Sequence, residues 1–210
     1  MAREALSVGA QLGKNPRTTA LELVGRINRA TNKREGGYIG LTSQQAQFVR
    51  SARLELSQLQ EAYFNRTLRD KRYDGLVRKA IRSGKPLNKV EIDLVAGRYS
   101  DRLLKFRADV IARTEMINSL RVARHEGFVQ LVESGKVTDD QIERTWSATG
   151  DQRVREDHSE MDGQKVFGIA APFVTPDGQK LLFPGDSSLG AEPNQTIQCR
   201  CFENVRVRYV

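Results

Sequence analysis

Apolar residues recur at helical steps through the first two-thirds of the chain, then give way after residue 135 to short runs broken by turns. In TTALELVGRINRA, Leu21, Leu23, Val24 and Ile27 lie near helical spacing, with Asn15 or Thr18 as the cap. Gly36, Gly37 and Gly40 then interrupt any regular element. Residues 1–40 therefore read as an extended arm with a short helix, which must lie on a partner or on the rest of the chain. From a cap at Thr42 or Ser43, Phe48, Ala52, Leu56 and Leu59 step at three and four residues as far as Tyr63, predicting a second helix. The stretch 66–85 predicts a third, closed by Gly84 and Pro86. Asn88 caps one or two long helices from Val90 to about Val132, weakest at Gly97, with Gly135 as the stop.

Beyond Gly135, Thr138 heads a short helix over DDQIER, and RTWSATG predicts a strand ending in a Gly-Asp turn. A short helix is expected from Val154 to Met161, and Asp162-Gly163, Asp177-Gly178 and Pro184-Gly185 are turns. In the terminal CFENVRVRYV, Val205, Val207 and Tyr209 alternate with Arg206 and Arg208, the pattern of a half-buried strand. The expected fold class is α+β: a mainly α-helical N-terminal two-thirds with long helices, followed by a small α+β C-terminal module. The expected divisions are an arm at 1–40, a helical domain with a basic face at 41–135, and the module at 136–210.

Composition narrows the function. With 39% hydrophobic and 29% charged residues the chain can build a core under a wet surface. No run approaches the roughly 18 apolar residues of a membrane span, and the N-terminus lacks a signal-peptide pattern, so synthesis and assembly in the cytoplasm are expected. The net charge of +8 is uneven: residues 1–100 hold 19 Lys and Arg against 9 Asp and Glu, whereas residues 101–210 hold 15 against 17. On a helical wheel of 66–85, Tyr73, Leu76, Val77, Ala80 and Ile81 gather on one side and Lys71, Arg78, Lys79, Arg82 and Lys85 on the other. Arg66, Arg69 and Arg72 bring the cations to eight, against Asp70 and Asp74. Such a face suits phosphates or an acidic protein surface; a merely solvated face is the alternative. It has too few large aromatics for a membrane.

Three blocks stand in order in the second half: IARTEMINSLRVARHEG at 111–127, TWSATGDQRVREDHSEMDGQ at 145–164 and LFPGDSSLGAEPNQTIQCRC at 182–201. Together they resemble the Mu F-like phage head morphogenesis domain, whose pattern runs from an Arg-Thr-Glu helix through a Trp strand and an Asp-x-Arg turn with a following Asp-Gly to a terminal Cys-Arg-Cys. The resemblance covers roughly residues 88–210. It implies a structural minor head protein of a tailed bacteriophage, in multiple copies within the virion, with the portal protein as first partner and coat protein and DNA as others. It marks Arg113, Glu115, Trp146, Asp151, Arg155, His158, Asp162, Gly163, Cys199, Arg200 and Cys201 as structural motif residues. Arg113 or Glu115 is expected to pair with the module, at Asp151 for example, and Asp151 to cap the short helix. Arg200 is expected to pair with Asp162, Asp186 or Glu160.

Some members of that family carry Cys-x-x-Cys on the short helix and His with Cys-x-Cys near the end, which looks like a zinc site. Here Arg155 and His158 stand at the first pair and Thr196 at the later histidine. His158, Cys199 and Cys201 remain, with Asp151 or Asp162 as a fourth candidate. Arg155 opposes a cation and can bond a carboxylate in its place, so no cofactor is expected; zinc on the remaining three residues is the alternative. A metal-dependent nuclease or hydrolase centred on His158, with Asp151, Asp157, Glu160 and Asp162 nearby in sequence, is the rival function. A DNA-binding protein packaged with the genome is another. The sequence has no nucleophile elbow and no phosphate-cradling glycine loop, so no enzymatic role is expected.

Overall fold

The computed structural model describes residues 2–28, 30 and 34–209. The chain divides into two units, Met1–Ala112 and Arg113–Val210. In the first, α1 (Ala2–Gln11) is followed by α2 (Pro16–Val24). The Asn15 side chain accepts the Arg17 N–H at 2.9 Å, and Pro16 occupies a first-turn position where its missing N–H costs nothing. Strands β1 (Arg26–Ile27) and β2 (Arg34–Glu35) then pair antiparallel. Asn32 and Lys33, at the head of the glycine-rich segment, lie outside the described residues. Ala20, Leu23 and Val24 are buried against Ala108 and Ala112, where small side chains let two helices approach closely. The described helices before residue 40 thus pack onto the rest of their unit, one of the two placements expected for the arm.

Helix α3 (Ser43–Ser57) opens with a reciprocal cap, Thr42 accepting the Gln45 N–H and Gln45 accepting the Thr42 N–H, both at 3.1 Å. It stops short of Tyr63 because Leu59 takes a left-handed conformation (φ 54°) and a 3₁₀ turn, Glu61–Asn65, follows. The stretch 66–85 is not one helix either. A second 3₁₀ turn, Lys71–Tyr73, leads into α4 (Asp74–Ser83), which ends at Gly84. Asn88 and Glu91 cap each other's N–H groups at the start of α5 (Lys89–Glu133). This single helix runs unbroken through Gly97, whose cost of about 1 kcal/mol is offset by burial of Val95, Ala96 and Tyr99 beside it. These join Leu56, Tyr63, Val77 and Leu87 in the core of the first unit. The division between units falls inside α5 and not near residue 135.

In the second unit a 3₁₀ turn, Asp139–Gln141, replaces the helix expected over DDQIER, because Ile142 already begins β3 (Ile142–Ser147). Then come α6 (Glu156–Glu160), β4 (Lys165–Phe167), β5 (Phe173–Val174), β6 (Lys180–Leu181), α7 (Pro193–Thr196) and β7 (Phe202–Val207). Strand β3 is the centre of an antiparallel sheet ordered β4-β3-β7, with Trp146 opposite Glu203 and Ile142 opposite Val207. Val205 and Val207 are half-buried as their alternation predicts, whereas Tyr209 lies past the strand and is exposed. Helix and small sheet together make the fold α+β. Trp146, Met161, Phe173, Leu181, Cys199 and Cys201 share the core.

Candidate functional site

Alternation along β3 turns Ile142, Arg144 and Trp146 inward, and all three are fully buried. The Trp146 ring meets His158 edge-on at 5.2 Å and Phe173 at 5.3 Å. Its backbone N–H donates to the Gln164 carbonyl at 2.8 Å, and its carbonyl accepts the Gly163 N–H at 2.9 Å. Asp162 accepts the Ala148 N–H at 2.8 Å. Gly163 sits at φ 80°, a conformation that side chains resist, so the Asp-Gly pair closes the loop between β3 and β4.

Helix α6 places His158 against the segment that enters β7. His158 Nδ1 lies 3.7 Å from Cys199 Sγ and 3.5 Å from Cys201 Sγ, and all three residues are buried. The cysteines form no disulfide. On the far side of the ring, Nε2 is 2.9 Å from Gln195 Oε1, while the Gln195 amide donates to Asp157 Oδ2 at 2.7 Å. Hydrogen bonding from Cys201, helped by His158 and Arg121 against burial, draws the Cys199 thiol below its ordinary value, and the same bond and burial push Cys201 up. Among the described residues, His158, Cys199 and Cys201 form the one group of three or more metal-type donors. The proposed fourth ligands are engaged elsewhere: Asp162 at Ala148, and Asp151 in a two-point pair with Arg200 at 2.5 Å on each arm.

That pair corrects two expectations. Arg200 meets Asp151 rather than Asp162, Asp186 or Glu160, and it draws the Asp151 carboxyl well below the usual range. Asp151 also accepts the Arg153 N–H at 2.9 Å, shaping a turn two residues before the N-cap position of α6, which Arg155 fills without a side-chain cap. The Arg155 guanidinium donates to the Ile197 carbonyl and not to a carboxylate. Neither Arg113 nor Glu115 docks the module through Asp151. Within this unit α5 holds the Cys-Arg-Cys segment by other residues: Arg121 Nη2 donates to the carbonyls of Cys199 (3.0 Å) and Cys201 (2.5 Å), Arg124 to that of Glu203 (3.0 Å), and Thr114 Oγ1 accepts the Gln198 N–H (3.1 Å). Gly185 makes room for Arg121, since a Cβ there would lie 2.6 Å from Nη1.

Arg144 was not singled out by the sequence. It is 0% exposed, donates to the carbonyls of Gly168 (2.9 Å), Leu182 and Ala171, and stands 3.6 Å from Glu203 Oε2. Burial pushes the Glu203 carboxyl up, with Arg144 pulling it back. Period-two alternation from Trp146 was the available signal, because it puts residue 144 on the inward side.

In the first unit the structure divides the eight cations. Arg66 makes a two-point pair with Glu55 (2.7 and 2.6 Å), and Arg69 one with Asp74 (3.0 and 2.9 Å). Arg72 pairs with the buried Asp70 but remains 73% exposed. Lys71, Arg78, Lys79, Arg82 and Lys85 are exposed on or beside α4, with Arg78 leaning over the Phe64 ring at 5.1 Å.

Long helix, Trp strand, Asp-Gly turn and a Cys-Arg-Cys segment with both cysteines buried follow one another in the order of the phage head morphogenesis pattern. The chain belongs to the phage Mu protein F like family, whose match covers residues 74–203, more than half of the chain, and begins at the first residue of α4. No curated protein matches the chain. No solved structure matches it. No helix among the described residues is long and apolar enough to cross a membrane.

Proposed function

We propose that the protein is a structural minor head component of a tailed-phage virion that associates with the portal, and with DNA, through the exposed cations of α4 and its flanking turns. The observation that carries this reading is the placement of Lys71, Arg78, Lys79, Arg82 and Lys85 on the surface, in a segment where the buried Asp70 and Asp74 already have arginine partners. Exposed cations are available to release counterions from phosphates or to meet acidic side chains, and Arg78, whose contact with Asp74 is a loose 3.9 Å, remains largely in water. The hydrolase reading is weaker, because the carboxylates near His158 are committed: Asp157 to Gln195, Asp151 to Arg200, Asp162 to Ala148. His158 itself is 1% exposed, which leaves no room for a substrate beside it. Co-expression with the portal protein of the same phage, followed by sizing at low and high salt, tests the proposal. A complex at low salt that dissociates at high salt is expected; no comigration with portal and no retention on duplex DNA at either salt overturns it.

A further inference from the structure

We infer that the recess at the corner between α4 and α5 seats an apolar side chain of an acidic protein segment, so that this end of the cationic surface takes protein and not DNA. The inference rests on the reading of α4 as a contact surface and names the chemistry of the partner there. The recess measures about 290 Å³. Leu76 and Ala80 of α4, with Pro86 and Leu87 of the connection, make its floor, and Lys79 and Lys85 stand exposed at its rim. Ala80 and Leu87 belong to the core of the first unit and Leu76 packs against it, so an inserted side chain would extend that core outward. Small-molecule sites occupy roughly 300–1,000 Å³; a recess just under that range suits one or two side chains.

A phosphate fits the recess poorly. Seated on Leu76, Pro86 and Leu87, it would exchange its water for side chains that form no hydrogen bonds. Two N–H groups at the start of α5, which would otherwise attract an anion, are already capped. The Glu91 N–H donates to Asn88 Oδ1 at 2.9 Å, and the Asn88 N–H to Glu91 Oε2 at 2.8 Å. The Glu91 carboxylate also lines the recess and repels a second negative charge placed deep within it. A peptide separates the two demands. It can set an apolar side chain on the floor and bring Asp or Glu to Lys79 and Lys85 at the rim, whereas a phosphodiester carries only the charge.

The test compares variants of the full chain on two probes at the same low salt, the portal protein of the same phage and a short DNA duplex. Ser83 lines the recess from the exposed end of α4, so Ser83→Phe fills it without changing charge. Portal binding is expected to weaken at least about 10-fold more than retention on the duplex. Lys85→Glu should weaken portal binding at least about 5-fold more than Lys71→Glu, an equal change of charge outside the recess. That second comparison decides the matter if circular dichroism shows Ser83→Phe to be misfolded. No loss of portal binding in a folded Ser83→Phe, equal losses on the two probes, or equal losses for Lys85→Glu and Lys71→Glu overturns the inference while the contact role of α4 stands. A wild-type chain that binds the duplex and not portal also overturns it. One that binds neither overturns the reading of α4 as well.

Discussion

Arg144 and Trp146 face the same way from β3, and each governs a different part of the second unit. Trp146 fills the core between His158 and Phe173, so Trp146→Ala should cost about 3–5 kcal/mol in urea unfolding followed by circular dichroism. An unchanged midpoint would remove Trp146 from the core. Arg144 bonds three carbonyls from two loops, Gly168 and Ala171 between β4 and β5 and Leu182 after β6, and faces Glu203. Arg144→Met keeps much of the volume but strands those carbonyls and a buried carboxyl, so a loss of about 3–5 kcal/mol is expected. The same denaturation experiment checks it, and a loss below about 1 kcal/mol would show that the loops do not depend on the guanidinium. The Trp was legible from its strand pattern. The arginine was legible only in principle, because a charged residue inside a strand is ordinarily read as facing water.

At the level of elements, the segment between α3 and α4 shows how local pattern misleads. A helical wheel sorts 66–85 into two clean faces, yet the helix starts only at Asp74. Arg66 and Arg69 are drawn off the wheel by Glu55 and Asp74, whose two-point pairs fix the turns instead. Asp70 caps the Lys71–Tyr73 turn with a side chain 2% exposed, and hydrogen bonding from Arg72, with Arg102 adding, holds its carboxyl down to about 2. A depressed folded-state value gives stability that is present above the ordinary carboxylate value of about 3.9 and is lost as pH falls through about 2. Because Arg72 is largely in water, Asp70→Asn should cost only about 1–2 kcal/mol at pH 7. That difference should close when the two proteins are compared by urea unfolding near pH 2; a gap independent of pH would mean that the charge of Asp70 contributes nothing.

Over the whole molecule, excess positive charge belongs to residues 1–100, while the matched family segment runs from α4 to β7. Reversing Lys71, Arg78, Lys79 and Arg82 to Glu should weaken binding to portal or DNA and flatten its salt dependence, by about 0.9 in the logarithmic slope for each phosphate that is no longer neutralised. Reversing Arg153, Lys180, Arg206 and Arg208 should do less, and equal effects in a salt titration of both variants would disconnect α4 from binding. The sequence by itself determined the α+β class, the cap at Asn88, the Trp strand and the family, and narrowed two further caps to Asn15 or Thr18 and Thr42 or Ser43, because each rests on residues adjacent in the chain or on an ordered set of motifs. Only the tertiary structure decided that Arg200 meets Asp151, that Arg121 and Arg124 hold the terminal carbonyls, and that Gln195 turns His158 toward two sulfurs. Those partners lie 49, 78 to 80, and 37 residues apart along the chain. Periodicity constrains which way a side chain points within its own element, whereas the choice among distant carboxylates, carbonyls and thiols is made by packing.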